Sequence, residues 1–335
     1  MGLQLQHYVP KFLIKQFGAG KPPYVHVYDK HLDTRFKLAT NKDAEIPVAA
    51  EKGMYDFEFM GTPVSMEPAL SELESEAAEC IQRIVRDGKL HPGDAREKQT
   101  LALFIVVQMI RTRATLEANS DVFGRMRRWC EAQGAPDAFF APDPHVGDGK
   151  NAEKAFMAKQ LSNAHTDYAP SLIGKDWLLL RTPEKEHFLL SDHPVVMHND
   201  IERPGRGNLG INVEGIQIQI PLTPTYALGL WCPSLLETVS KGVSKMATLR
   251  EPHPFQDTAS RHNLRRARET LHAFRNNLPL QYESDNVLHL NSLQVSHAER
   301  FVFSSTGDFT LVEEMIGGDQ SIRHGRRFEE TTGKF

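Results

Sequence analysis

Two carboxylates fall where a helix should bury its apolar face. Between Met66 and Arg86, Leu70, Leu73, Ala77, Ile81 and Ile84 recur at helical spacing, and at about 100° per residue Glu67 and Glu74 lie on the same stripe. Glu72, Glu76 and Glu79 point away. A buried, unpaired carboxylate costs several kcal/mol, so each needs a basic or hydrogen-bonding partner, a metal, or a path to water. The next helical stretch supplies partners: Gln108, Arg111 and Thr112 are spaced to stack on one side of a helix that is otherwise apolar. Arg111 keeps its charge, and its planar fork suits a carboxylate or a phosphate oxygen. Glu74 to Arg111 is the expected pair, either as an internal counter-ion or as part of an anion-binding pocket between the helices.

Two further segments carry groups able to move protons or hold a metal. His7 opens the run His7-Tyr8-Val9-Pro10, and an imidazole there could act as general base, metal ligand or cap. Ser191-Asp192-His193-Pro194 follows a strand over His187–Leu190, and Asp192 could serve as an acid/base group, as a ligand, or as a turn-forming side chain. Ser191 lacks a GxSxG elbow and is a poor nucleophile. The expectation is therefore His7, Glu74 and Asp192 as catalytic groups, with Tyr8, Gln108, Arg111, Thr112 and Ser191 around a substrate. A carboxylate and an imidazole would position water or hold a divalent metal, while Arg111 stabilises charge on an anion. Zinc-protease, P-loop, dinucleotide-binding and EF-hand signatures are absent.

The elements that must position these groups read as mixed α and β. Tyr24–Tyr28 alternates as a strand between turns, and Leu101–Ile110 is apolar on every side, which predicts a helix over 95–116 buried all round. A short helix should cover 121–129, followed by a Pro- and Gly-rich loop over 134–150 that reads as mobile or as a connection between two lobes. Strands then dominate: Trp177–Arg181, His187–Leu190, Ile216–Pro221, Tyr226–Trp231 and Phe301–Ser304, with helices over 152–164, 234–249 and 257–274. In Ile216–Pro221 strict alternation presents Gln217 and Gln219 on one face. The expected fold is α+β: buried helices in the first half, a sheet mainly from the second, one integral domain over 1–316, and a mobile tail over 317–335.

With 335 residues, 40% apolar and 24% charged, the chain is globular, and a net charge of −4 builds in no global attraction to nucleic acid or membrane. Three widely spaced cysteines argue against a cysteine-held zinc cluster and a disulfide framework. No apolar run approaches a membrane span and no secretory signal is visible, so a cytoplasmic location is expected.

Taken together, the segments resemble the domain-of-unknown-function 4238 family of bacteria and fungi. The resemblance rests on His7-Tyr8-Val9-Pro10 with Phe12, Leu13 and Phe17; Val27-Tyr28-Asp29-Lys30; Val48-Ala49-Ala50-Glu51 through Gly53 and Tyr55-Asp56-Phe57; Glu67-Pro68-Ala69-Leu70 through Leu73-Glu74; Gln108 through Arg111-Thr112; Leu190 through Pro194; and Asn291 with Phe301-Val302-Phe303. Family proteins usually carry Asn where this chain has His193, and Pro where it has Arg113. The resemblance implies one integral domain and supplies no reaction. Two functions follow from the residues. One is a hydrolase acting on a phosphate-containing substrate, with a nuclease as the specific case. The other is a non-catalytic domain that senses an anionic small molecule or nucleic acid, or binds another protein.

Overall fold

A computed structural model describes residues 4–41, 45–136, 143–147, 149–202, 207–248 and 258–325. The N-terminal part comprises β1 (Leu5–His7), α1 (Lys11–Lys15), β2 (Tyr24–Asp29), β3 (Thr34–Ala39), β4 (Ala50–Lys52), β5 (Asp56–Phe59) and β6 (Thr62–Ser65). Helices follow: α2 (Glu67–Asp87), α3 (Ala95–Ile110), α4 (Arg113–Ala132), α5 (Gly149–Ser162), α6 (Ala164–Asp167) and α7 (Ala169–Ile173). The remainder is β7 (Asp176–Arg181), β8 (Leu190–Ser191), β9 (Val196–His198), β10 (Gln217–Pro221), β11 (Tyr226–Trp231), α8 (Pro233–Thr248), α9 (Thr258–Asn276), β12 (Leu280–Gln281), α10 (Ser284–His297), β13 (Phe301–Ser304) and α11 (Thr310–Gly318).

This is the expected α+β fold, and the larger sheet does come from the second half, in the order β12-β7-β11-β10-β9. Its strands alternate between two cores, as the two-residue period of a strand requires. Leu179, Ile218, Ile220, Leu228 and Leu230 face a core shared with α2, α3 and α7, whereas Leu178, Leu180 and Ala227 pack beneath α9 and α10. Gln217 and Gln219 therefore lie on the α9–α10 side of β10, and Gln219 is buried there instead of facing solvent. The second sheet, β3-β2-β13-β8, interleaves the two halves of the chain. With β2 hydrogen-bonded to β13, residues 24–29 and 301–304 belong to one body.

Helix α2 matches its sequence pattern, burying Leu70, Ala77, Ile81 and Ile84 and ending at Gly88 with a left-handed φ of 61°. The helix expected over 95–116 divides instead. Arg111 caps α3 in a non-helical turn, and Thr112 is extended and caps α4 through a hydrogen bond from Thr115 N. Gln108, Arg111 and Thr112 consequently do not share one helix face. The short helix expected over 121–129 belongs to α4, which runs 20 residues.

Part of the 134–150 loop, residues 137–142 and 148, lies outside the described residues. Residues 143–147 form a turn pinned to the β5–β6 hairpin by Met60 N donating to the His145 carbonyl at 2.8 Å. The boundary expected at 316 falls inside α11. Residues 320–323 form a 3-10 turn docked on the body, with Arg323 Nη1 donating to the Lys30 carbonyl at 2.8 Å. Residues 326–335 of the expected tail lie outside the described residues. Among the described residues, no helix is long and apolar enough to cross a membrane.

Candidate functional site

The segments that carry the family resemblance assemble into a buried polar hub with two nodes. In the first, Arg111 is fully buried where α3 ends. Its Nη1 lies 2.7 Å from Glu74 Oε1, although the N–H bonds of Nη1 do not point along that line, so the contact is ionic without being a well-directed hydrogen bond. With its amide oxygen turned inward, Gln108 accepts from Arg111 Nε at 2.7 Å and Nη2 at 2.5 Å. Glu74 is not sealed away: its side chain keeps 26% exposure, against 1% for Arg111. Glu67 is half-buried above it, and burial together with the Glu74 charge raises its pKa. Tyr55 closes the node, donating to the His7 carbonyl at 3.1 Å within reach of Arg111, and burial pushes its phenol up.

His7 and Tyr8 connect this node to the next. His7 Nε2–H donates to the Ile46 carbonyl at 2.6 Å, and burial holds its pKa below the usual histidine range, helped by the charges of Lys11 and Arg111. Tyr8 faces the other way, where burial and the Asp192 charge raise its phenol. The second node centres on Asp192, which is fully buried. Its carboxylate accepts backbone N–H bonds from Glu299 at 2.7 Å, Arg300 at 2.9 Å and Phe301 at 3.0 Å. Burial pushes Asp192 up to about 6, while these amides and the charge of Lys30 pull against that rise. Lys30, also fully buried, donates to the Val295 and Ala298 carbonyls at the end of α10, where the helix dipole favours a cation. Ser191 Oγ donates to Gln294 Oε1 at 2.7 Å, and Gln294 Nε2 donates to the Pro194 carbonyl at 2.9 Å. Thr112 Oγ1 and His193 Nδ1 are 2.7 Å apart, tying the α3–α4 break to the Ser191–Pro194 turn.

The eight expected site residues thus lie in or beside these two nodes, but not around an open concavity. Arg111, Thr112, Ser191 and Asp192 are each held by protein partners and have no solvent exposure, and His7 is 8% exposed. Among the described residues, no group of three histidine, cysteine or acidic side chains close enough to share an ion includes His7, Glu74 or Asp192. The hub fastens β1, α2, α3, the Ser191–Pro194 turn and the start of β13 to one another.

A concave site lies on another side of α10. Asn286 and His289, three residues apart, face it, while Asn291 and Gln294, also three apart, face the hub. A cavity of about 450 Å³ opens between the face of the larger sheet and α9–α10, lined by His198, Gln219, Trp231, His262, Arg266 and His289 among others. Two buried atoms on its wall, Gln219 Oε1 and Trp231 Nε1, have no protein hydrogen-bond partner among the described residues. A buried acceptor and a buried donor left unpaired are costly unless something else meets them. His198 Nε2 bonds Asp200 Oδ1 at 2.7 Å, and the His198 and His289 rings meet edge to face at 4.4 Å. Partial burial and the neighbouring His198 lower the His289 pKa, against Asp200. Arg266 reaches the Gln281 carbonyl at 2.8 Å and pairs with Glu269 at 2.7 Å. Sequence reading singled out Gln217 and Gln219 but missed the histidines, which come from three separated elements.

Fold and site together define an α+β protein whose buried polar hub is joined through one helix to a polar, histidine-lined cleft. The chain belongs to the family described as Protein of unknown function (DUF4238), whose model matches residues 5–308. No curated protein and no solved structure matches the chain.

Proposed function

We propose that this protein is a hydrolase of a small phosphate ester bound in the cleft between the larger sheet and α9–α10. The observation that carries the reading is the pair of unpartnered buried atoms, Gln219 Oε1 and Trp231 Nε1, in a cavity that also presents two histidines in contact. Its volume suits a small molecule, since such sites span about 300 to 1,000 Å³. His289, whose pKa partial burial and His198 lower, takes a proton from the attacking water as its oxygen bonds to phosphorus. The P–O bond to the leaving group breaks, and that oxygen receives a proton from His198, which its hydrogen bond to Asp200 orients. Arg266 supplies positive charge toward the phosphoryl oxygens, and His262 lines the same cavity as a hydrogen-bonding group.

Purified protein should be assayed with p-nitrophenyl phosphate, bis(p-nitrophenyl) phosphate and short RNA. Replacing His289 by Gln should lower turnover about 100-fold or more while leaving the melting curve in place, the loss expected when a general base is removed. Absence of turnover in the wild type would defeat the hydrolase reading. One observation favours the non-catalytic alternative: Arg266 is already paired with Glu269 and close to Glu283, which lowers its pull on a phosphate. Saturable binding of phenyl phosphate without turnover would support that reading.

A further inference from the structure

Beside the hub and away from the cleft, three side chains with metal-ligand chemistry meet where the C-terminal segment docks. His31 follows β2, Glu299 precedes β13, and His324 follows the 3-10 turn at 320–323. One ligand atom from each lies within 4.8 Å of the others. We infer that His31, Glu299 and His324 bind a divalent transition-metal ion, zinc foremost, which clamps residues 319–325 to the body. Two imidazoles and a carboxylate are a donor set zinc takes at about 2.0 to 2.2 Å, leaving one position for water.

The three backbones are already placed. Asp29 Oδ1 accepts from the His31 and Leu32 amides at 3.1 and 3.2 Å, fixing the turn that carries His31. Asp192 accepts from Glu299 N, so the hub itself anchors the only buried ligand of the three. Arg323 Nη1 bonds the Lys30 carbonyl and Nη2 pairs with Asp33 at 3.0 Å, which holds the neighbouring His324 over the site. The His31 ring also hydrogen-bonds the Glu299 carbonyl, and a neutral imidazole that donates through one nitrogen carries a lone pair on the other. Glu299 Oε2 accepts from Gly325 N at 3.1 Å, and a carboxylate has further lone pairs for an ion. The two imidazole rings are 4.6 Å apart and both residues are exposed, so small side-chain rotations bring the donors to bonding distance. Arg300, a neighbouring cation, is neutralised by Asp29 through contacts of 2.7 to 3.0 Å. His324 lies beyond the residues matched by the family model, so the clamp acts on a segment outside that match.

The full-length chain, stripped with chelator and dialysed, should bind one Zn²⁺ in calorimetric titration, and Zn²⁺ should slow amide exchange across 319–325. His31→Ala and His324→Ala should each weaken binding about ten-fold or more. His165→Ala, at an exposed histidine elsewhere, should bind as the wild type does. Because His31 and His324 are exposed, both variants should fold, and their melting curves in chelator check this. Absence of stoichiometric binding, or unchanged affinity in both variants, would overturn the assignment. So would binding that leaves exchange at 319–325 unaltered.

Discussion

Replacing Arg111 by Ala is expected to lower the free energy of unfolding by about 3 to 5 kcal/mol, the range seen when one member of a buried ion pair is removed. Three losses combine. Glu74 loses its counter-ion, Gln108 loses two donors, and the largest fully buried side chain leaves a cavity. Because Glu74 keeps partial exposure, water meets some of its demand, so the Gln108 and cavity terms carry much of the cost. Arg111→Lys should not rescue, since an ammonium lacks the fork that reaches Gln108 and Glu74 together. Glu74→Gln should cost less, because the Gln108 contacts survive. Urea denaturation with comparison of slopes measures all three. A loss under about 1 kcal/mol for Arg111→Ala, the range of surface pairs, would show that the hub does not bear on stability.

The second large effect is a pH dependence that His193→Asn should remove. Burial lowers the His193 pKa from 6.5 to about 4, with only the Glu299 charge opposing. As pH falls through 6.5 the unfolded chain takes up a proton that the folded chain refuses, so stability is lost between pH 6.5 and about 4. Below that the folded ring also protonates and the loss stops. At about 1.4 kcal/mol per pKa unit, the full difference approaches about 3 kcal/mol. The ring keeps some contact with solvent, so this is an upper value. Asp192 titrates in an overlapping window with the opposite sign: its pKa is raised, so its contribution grows as pH falls from about 6 toward 3.8. The wild-type curve alone therefore reads a sum. Subtracting the His193→Asn curve isolates the imidazole, and a difference that stays flat from pH 7 to pH 4 would contradict the assignment.

What was legible in the sequence was polarity out of place. Glu74, Arg111 and Asp192 interrupt apolar patterning, and each is part of the hub. The sequence did not reveal that these groups satisfy one another, because three of their partners are backbone amides of residues 299–301, which no side-chain pattern marks. The break at Arg111–Thr112 was hidden by the apolar run before it. Its signal was Thr112 three residues before Thr115, a helix-capping position. Helix α10 escaped because its buried face includes the polar Asn291 and Gln294 while Leu288 is exposed, which blurs the amphipathic period. The cleft was legible only as the amide face of Gln217 and Gln219. His198, His262 and His289 meet there through the packing of β9, α9 and α10, a long-range consequence of fold.

The most direct test of the cleft as the ligand site is the indole N–H signal of Trp231, followed by heteronuclear NMR as phenyl phosphate is added. The chain has three tryptophans, and Trp231→Phe identifies the signal. Trp231 Nε1 has no protein partner among the described residues and lines the cavity, so a ligand bound there should shift its resonance saturably. The signal of Trp129, exposed on α4, should stay in place. A Trp231 resonance that does not move at saturating ligand would contradict the account.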